Sequence, residues 1–321
     1  MSVPPPSPAS RPPARPGGEF ALIDWIRRQA GPHPRLEIGI GDDAASVSWP
    51  GADSALVAVD MLVEGVHFTC PEATPEQIGR KALAVNLSDI AAMAGRPIAA
   101  VISVALPRTW NGEPAQRLHS GLTELARQTG VALAGGDTTS TDGPLVISVT
   151  VIGESPPGGP VLRSGAQPGD RVLVTGRLGG SLDGHHLDFT PRLAEAAALL
   201  ESGGLHAMID ISDGLATDLH HVLHASGVGA RLNAADIPLN EFAERGRDGR
   251  TRLAHAIADG EDFELLSAVS PGIAARLVAD PPFETALTDI GEIIEGSDVD
   301  MLMPDGRIVP LPPLGYEHEV G

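Results

Sequence analysis

Apolar positions recur at helical spacing in some stretches and cluster in short runs in others. Phe20, Ile23, Trp25 and Ile26 suit a short amphipathic helix over residues 20–28. Thr74-Pro75-Glu76 opens a second helix, with Thr74 as N-cap and Pro75 at the first helical position. Its pattern runs to about Ala94 and stops at Gly95, with Pro97 beyond. Helices are also predicted over 114–128 and 215–226. Short apolar runs predict strands at 55–59, 99–106, 131–134, 145–153, 172–176, 207–211 and 265–269. Elements of both kinds lie on either side of Ser155-Pro156-Pro157-Gly158-Gly159-Pro160, which reads as a linker. The expected organisation is a Pro-rich disordered tail over 1–18, an N-terminal domain over 19–154 and a C-terminal domain over 161–321, in a mixed α/β (α+β) class.

The acids interrupt this pattern at its edges. Gly39-Ile40-Gly41-Asp42-Asp43 puts two carboxylates after a tight turn, which is either solvated turn chemistry or a cation site. The run Ala55–Val59 ends in Asp60, a carboxylate where a strand is expected to meet a loop. Asn86 and Asp89 are three apart in an otherwise apolar helical stretch, so they share a face, and a carboxylate there needs a partner. Gly135-Gly136-Asp137-Thr138-Thr139 follows an apolar run. It is either a plain turn or a place where backbone N–H groups approach a phosphate. Ile209-Asp210-Ile211-Ser212-Asp213-Gly214 carries two more acids before a helix. Ser212 or Asp213 as a cap would account for one of them.

Composition narrows the chemistry. Formal net charge is −20 over 321 residues, which argues against sequence-independent binding to nucleic acid or to an anionic membrane. The single cysteine, Cys70, leaves no internal disulfide and makes a thiolate zinc site improbable. No apolar run is long enough to span a bilayer, and the N-terminus lacks a secretory pattern, so a cytoplasmic protein is expected. Oxygen-only donors point to Mg²⁺, Mn²⁺ or Ca²⁺, and carboxylate-held Mg²⁺ commonly also binds substrate phosphates. The only lysine, Lys81, is not in a G-x-x-x-x-G-K-[ST] context, and no H-R-D, D-F-G or G-x-G-x-x-G is present. Nucleotide-dependent phosphoryl transfer without a P-loop is the economical expectation.

A resemblance now becomes visible. GEFALIDWIRR (18–28), GIGDDAA (39–45), VDMLVEGVHF (59–68), KALAVNLSDIAAMAG (81–95), GGDTT (135–139), RSGAQPGDRVLVTG (163–176), MIDISDGL (208–215), GEDFEL (260–265) and GYEH (315–318) together resemble the thiamine-monophosphate kinase family, in that family's order. The resemblance implies an aminoimidazole-ribonucleotide-synthetase-like fold of two domains. The N-terminal one would carry a mixed sheet and form a homodimer, and the C-terminal α/β domain would complete the site. It implies transfer of the γ-phosphoryl of ATP to thiamine phosphate. It implies Mg²⁺ ligands at Asp43, Asp60, Asp89, Asp137, Asp210 and Asp213, with Asp42 a weaker candidate. ATP contacts are implied at Gly136, Asp137, Arg163 and Ser212, and substrate contacts at His67, Glu261 and Tyr316. Without the resemblance, these last three read as a loop histidine, a solvated turn residue and a tail anchor. No general base and no covalent intermediate are expected. Ala58 and Val59 stand where the family usually has hydroxyl residues. Selenophosphate synthetases and hydrogenase-maturation proteins of the same superfamily, or a non-catalytic nucleotide or metal sensor, are the alternatives.

Overall fold

The computed structural model describes residues 19–29, 33–49, 54–70, 72–110, 112–241 and 249–318; the Pro-rich stretch read as a tail lies outside them. The first half runs α1 (Glu19–Gln29), β1 (Leu36–Ile38), β2 (Ala45–Val47), β3 (Ala55–Val63), α2 (Pro75–Ala92), β4 (Arg96–Pro107), α3 (Gly112–Thr129), β5 (Ala132–Thr141) and β6 (Val146–Glu154). The second half runs β7 (Arg171–Thr175), α4 (His185–Asp188), α5 (Leu193–Glu201), β8 (Leu205–Asp210), α6 (Leu215–Ser226), β9 (Gly229–Asn233), α7 (Arg252–Ala258), β10 (Leu265–Val269), α8 (Pro271–Ala279), β11 (Leu287–Ile294), β12 (Val299–Leu302) and β13 (Ile308–Pro310). No described helix is long and apolar enough to cross a membrane.

The strands form two sheets, ordered β1-β2-β3-β6-β4-β5 and β13-β12-β9-β11-β7-β10-β8. Both are mixed, with β4 parallel to β5 and β12 parallel to β9. The expected mixed α/β class is therefore what the chain adopts.

Two expectations need correction. β3 does not stop before Asp60 but continues to Val63, because it pairs with β6 without interruption from Ala55↔Glu154 to Val63↔Val146. Gly135–Thr139 is not a turn. β5 runs through it to Thr141, held in a ladder with β4 as far as Pro107. At Gly136 an added Cβ would lie 1.8 Å from the Ile102 carbonyl oxygen, so close strand approach accounts for that glycine.

α2 organises the first sheet. Thr74 and Gln77 close a reciprocal capping box at its start, and Pro75 sits at the first turn. Leu56, Ala58 and Leu62 of β3 are buried in one core with α2 residues Ile78, Leu83 and Leu87. α3 crosses α2 closely. A Cβ on Gly121 would lie 1.9 Å from the Glu76 carbonyl oxygen, and one on Gly79 would lie 2.0 Å from that of Leu118. The C-terminal end of α2, Ala91 and Ala92, packs with Leu173, Met208 and Leu265 of the second sheet. One helix is thus shared by both halves, and little of it faces water.

The other side of the first sheet is open. Period-2 alternation sends Val59 and Met61 outward, 62% and 57% exposed. Val101 and Ile152 stand on the same face and are also exposed.

Candidate active site

α2 carries polar groups into the interior at helical spacing. Lys81, Val85 and Asp89 follow at i, i+4 and i+8, so they form one stripe. Val85 and Asp89 line a cleft of about 280 Å³ between the two halves. Asp60 from β3, Asp210 at the end of β8, and Ser212 and Asp213 just beyond it line the same cleft. The expected substrate contacts His67, Glu261 and Tyr316 line it too. Elements from both ends of the chain thus meet at one cleft.

At the inner end, ligand oxygens of Asp43, Asp89 and Asp210 all lie within 4.8 Å of one another. Asp43 Oδ1 accepts from Arg163 Nη2 at 2.7 Å, while Asp43 Oδ2 is buried without a hydrogen-bond partner. An orphaned buried carboxylate oxygen beside two more acids fits a hard divalent cation. Asp60 adjoins the group; its backbone N–H donates to Asn86 Oδ1 at 3.0 Å. Ser88 Oγ donates to Asp210 Oδ2 at 2.6 Å. The local fields agree with this picture. Burial, then the nearby Asp43 charge, lifts the Asp210 carboxyl to about 7. Burial lifts Asp60 to about 6. Asp89 is pushed well up by burial and by the charges of Asp60, Asp210 and Asp43. Carboxylates held this way need positive charge to ionise together.

Asp42 turns out to serve the turn. Its Oδ1 accepts from the backbone N–H of Asp43 and of Arg163. Arg163, expected at the nucleotide, spends its guanidinium on Asp43, which holds its own pKa above the ordinary arginine value despite burial. Asp213 is not in the first group. It gathers instead with Asp218 and His221, whose ligand atoms also lie within 4.8 Å of one another. Asp218 Oδ2 accepts from the N–H groups of Asp213 and Gly214. Gly214, not Ser212 or Asp213, occupies the N-cap of α6, with no side-chain cap. Those N–H groups are satisfied from within the helix instead.

Gly136 and Asp137 are not brought into the cluster. The pairings Asp60↔Val149, Val149↔Ile102 and Ile102↔Gly136 put Gly136 three strands away, roughly 14 Å at the usual strand spacing. Asp137 belongs to the next row, with Met61, Ser148 and Ser103, so it projects from the open face, opposite to Asp60. Within one chain its side chain therefore does not face the Asp60 side of the sheet. Val59, one of the hydroxyl-lacking positions, also points to the open face, and Ala58 is buried under α2.

At the outer end of the cleft, His67, Tyr316 and His318 form a chain of rings. His67 and His318 centroids are 5.5 Å apart, and Tyr316 stands edge-on to His318 at 4.8 Å. The His67 Nδ1 accepts from the Val63 N–H at 3.0 Å, and burial lowers its pKa. Glu261 adopts a left-handed φ of 65°, and Phe263 one of 50°. Sequence reading did not single out Ser88, Asp218, His186 or His318. Ser88 left a signal, as a hydroxyl one residue from Asp89 in an apolar helix, and His318 closes the GYEH stretch.

The comparisons fit this geometry. Residues 41–155 match the N-terminal domain, and residues 180–300 the C-terminal domain, of AIR synthase related protein. The thiamine-monophosphate kinase of Rhodopirellula baltica is 39% identical over 311 residues, 94% of this chain and 97% of that protein. That of Escherichia coli K12 is 33% identical, over 94% of this chain and 98% of that protein. The solved structure of AaThiL complexed with AMPPCP and TMP superposes with a TM-score of 0.81 at 30% identity, covering 97% of this chain and all of that one. With two matching domains, relatives similar along nearly their whole length, and acids from both halves on one cleft, the chain belongs to the thiamine-monophosphate kinase family of AIR synthase related proteins.

Proposed function

We propose that this chain transfers the γ-phosphoryl group of ATP to thiamine phosphate, giving thiamine diphosphate and ADP, with Mg²⁺ held by Asp43, Asp60, Asp89 and Asp210. Asp213 serves a further cation at the cleft wall. The observation that carries this reading is the buried Asp43, Asp89 and Asp210 group, with the unpartnered Asp43 Oδ2 inside it. Bound there, Mg²⁺ would screen the negative charge of two phosphate-bearing substrates.

The chain's own residues bind and orient. Arg163 holds Asp43 ready and lies partly open for a phosphate oxygen, and Ser212 offers a hydroxyl at the cleft wall. Glu261, Tyr316 and His67 would take the cationic thiazolium and its pyrimidine partner at the outer end. A phosphate oxygen of thiamine phosphate attacks the γ-phosphorus in line, and the bond to the β–γ bridging oxygen breaks. That nucleophile is already anionic near neutral pH, so no side chain has to take a proton.

We divide the chain functionally at residues 155–160 and assign the open face of the first sheet to a homodimer. Its exposed Val59, Met61, Val101 and Ile152 support this. Gly136 and Asp137 lie at the edge of that face, and any role toward ATP would be played there. The test is turnover: ATP, Mg²⁺ and thiamine phosphate, scored for thiamine diphosphate. Tight ATP binding without product would favour a nucleotide sensor, and loss of product on chelation with EDTA is expected.

A further inference from the structure

Lys81 is the chain's only lysine, and it is fully buried. An ammonium taken out of water needs all its protons accepted. Lys81 Nζ lies 2.6 Å from the His67 carbonyl oxygen, 2.7 Å from His186 Nδ1, and 2.7 Å from both carboxylate oxygens of Glu261. Three N–H groups meet three oxygens, the His67 carbonyl and the two of Glu261, so the ammonium is saturated, with His186 Nδ1 alongside. Two of these residues, His67 and Glu261, line the cleft. They come from segments almost 200 residues apart in sequence, about the span from loop 64–68 to loop 260–264, and Lys81 is the atom-level link between them.

Glu261 would not hold its position by itself. Its left-handed backbone is costly for a residue with a Cβ, and such strain persists only where surroundings over-determine it. The Glu261 N–H donates to the Ser212 carbonyl at 2.7 Å, which fixes the backbone on one side. Lys81 fixes the side chain on the other, and His186 Nδ1 lies 2.9 Å from Glu261 Oε2. The net effect keeps Glu261 below the ordinary carboxylate range despite its burial. Lys81 also stands two turns before Asp89 on the same rigid helix, so the spacing from the acid cluster to Glu261 is set by one element.

We propose that Lys81 is the positioning residue of the substrate-side half of the cleft, holding the Glu261 carboxylate at a fixed place relative to Asp89. This rests on the functional reading above. Lys81 reaches no reacting atom and acts through Glu261.

The test is a double-substitution cycle in the full chain: Lys81→Met, Glu261→Gln, and both together. Steady-state kinetics and calorimetric titration with thiamine phosphate are read in parallel. Lys81→Met is expected to raise KM and Kd for thiamine phosphate about tenfold or more while leaving KM for ATP within about twofold. In the Glu261→Gln background it should add almost nothing, because its effect runs through that carboxylate. The double variant carries no buried unpaired charge and is the arm that stands if Lys81→Met alone fails to fold. Equal changes for both substrates, or full additivity in the double variant, would overturn the proposal. Wild-type protein that binds thiamine phosphate without turnover would sink the functional reading alone, with Lys81 still read from Kd.

Discussion

Asp210→Asn separates the two demands placed on the acid cluster. In the folded chain the Asp210 carboxyl is lifted from 3.8 to about 7, first by burial and then by the Asp43 charge. That is about three units, or on the order of 4 kcal/mol at 1.36 kcal/mol per unit, carried against folding when the group is ionised and no cation is present. The sign follows from proton binding. Between 3.8 and about 7 the folded chain retains a proton that the unfolded chain has lost. Stability is therefore full below 3.8 and falls as pH rises through about 7. Asn removes the ionisable group and still accepts from Ser88 Oγ. In chelator at pH 8, Asp210→Asn is expected to melt several degrees above wild type, since about 1 kcal/mol shifts Tm by about 2–4 °C at this size. Adding Mg²⁺ should raise the wild-type Tm strongly at pH 8, weakly at pH 5.5, and clearly less at pH 8 in the variant, which keeps the Asp213 group. Turnover should fall at least a hundredfold. Differential scanning calorimetry with and without Mg²⁺, beside a coupled kinase assay, reads all of this. A metal-free variant that melts at or below wild type, or one that keeps its activity, would refute the electrostatic account.

Arg163→Met leaves the Asp43 carboxylate, 1% exposed, without its cation, and should cost about 3–5 kcal/mol in metal-free buffer, partly restored by Mg²⁺. Chemical denaturation with and without Mg²⁺ checks this. Gly121→Val drives a side chain into the Glu76 carbonyl and should cost about 3 kcal/mol or prevent folding. A change within about 0.5 kcal/mol in urea melts would mean that α2 and α3 are not in close contact. Val101→Glu puts a charge in the middle of the open apolar face. Sedimentation velocity should show a dimer for wild type and a monomer for the variant, with the monomeric fold intact.

Much of this molecule could be read from its residues in order. The Thr74–Pro75 start of α2 and the strands at 99–106, 145–153 and 265–269 are local matters of capping and apolar runs, whereas α2 ends at Ala92, short of the expected stop at Gly95, and Ala94 rather than Gly95 takes the left-handed turn. The acids that line the cleft were also legible, because carboxylates at strand ends and on an apolar helix violate the pattern around them. Other features depended on neighbours. Asp60 sits inside a strand and Gly135–Thr139 in a ladder because β6 and β4 supply hydrogen-bond partners distant in sequence. Asp137 faces away from Asp60 because the pleat alternates and the register between four strands fixes the side, which no single stretch encodes. Lys81 looked like a bare count until folding placed His67, His186 and Glu261 around its ammonium. The order of residues determined which chemical groups were present and which elements bore them. Only long-range packing decided which of those groups share a low-dielectric space, and hence which charges must be answered by one another or by a cation.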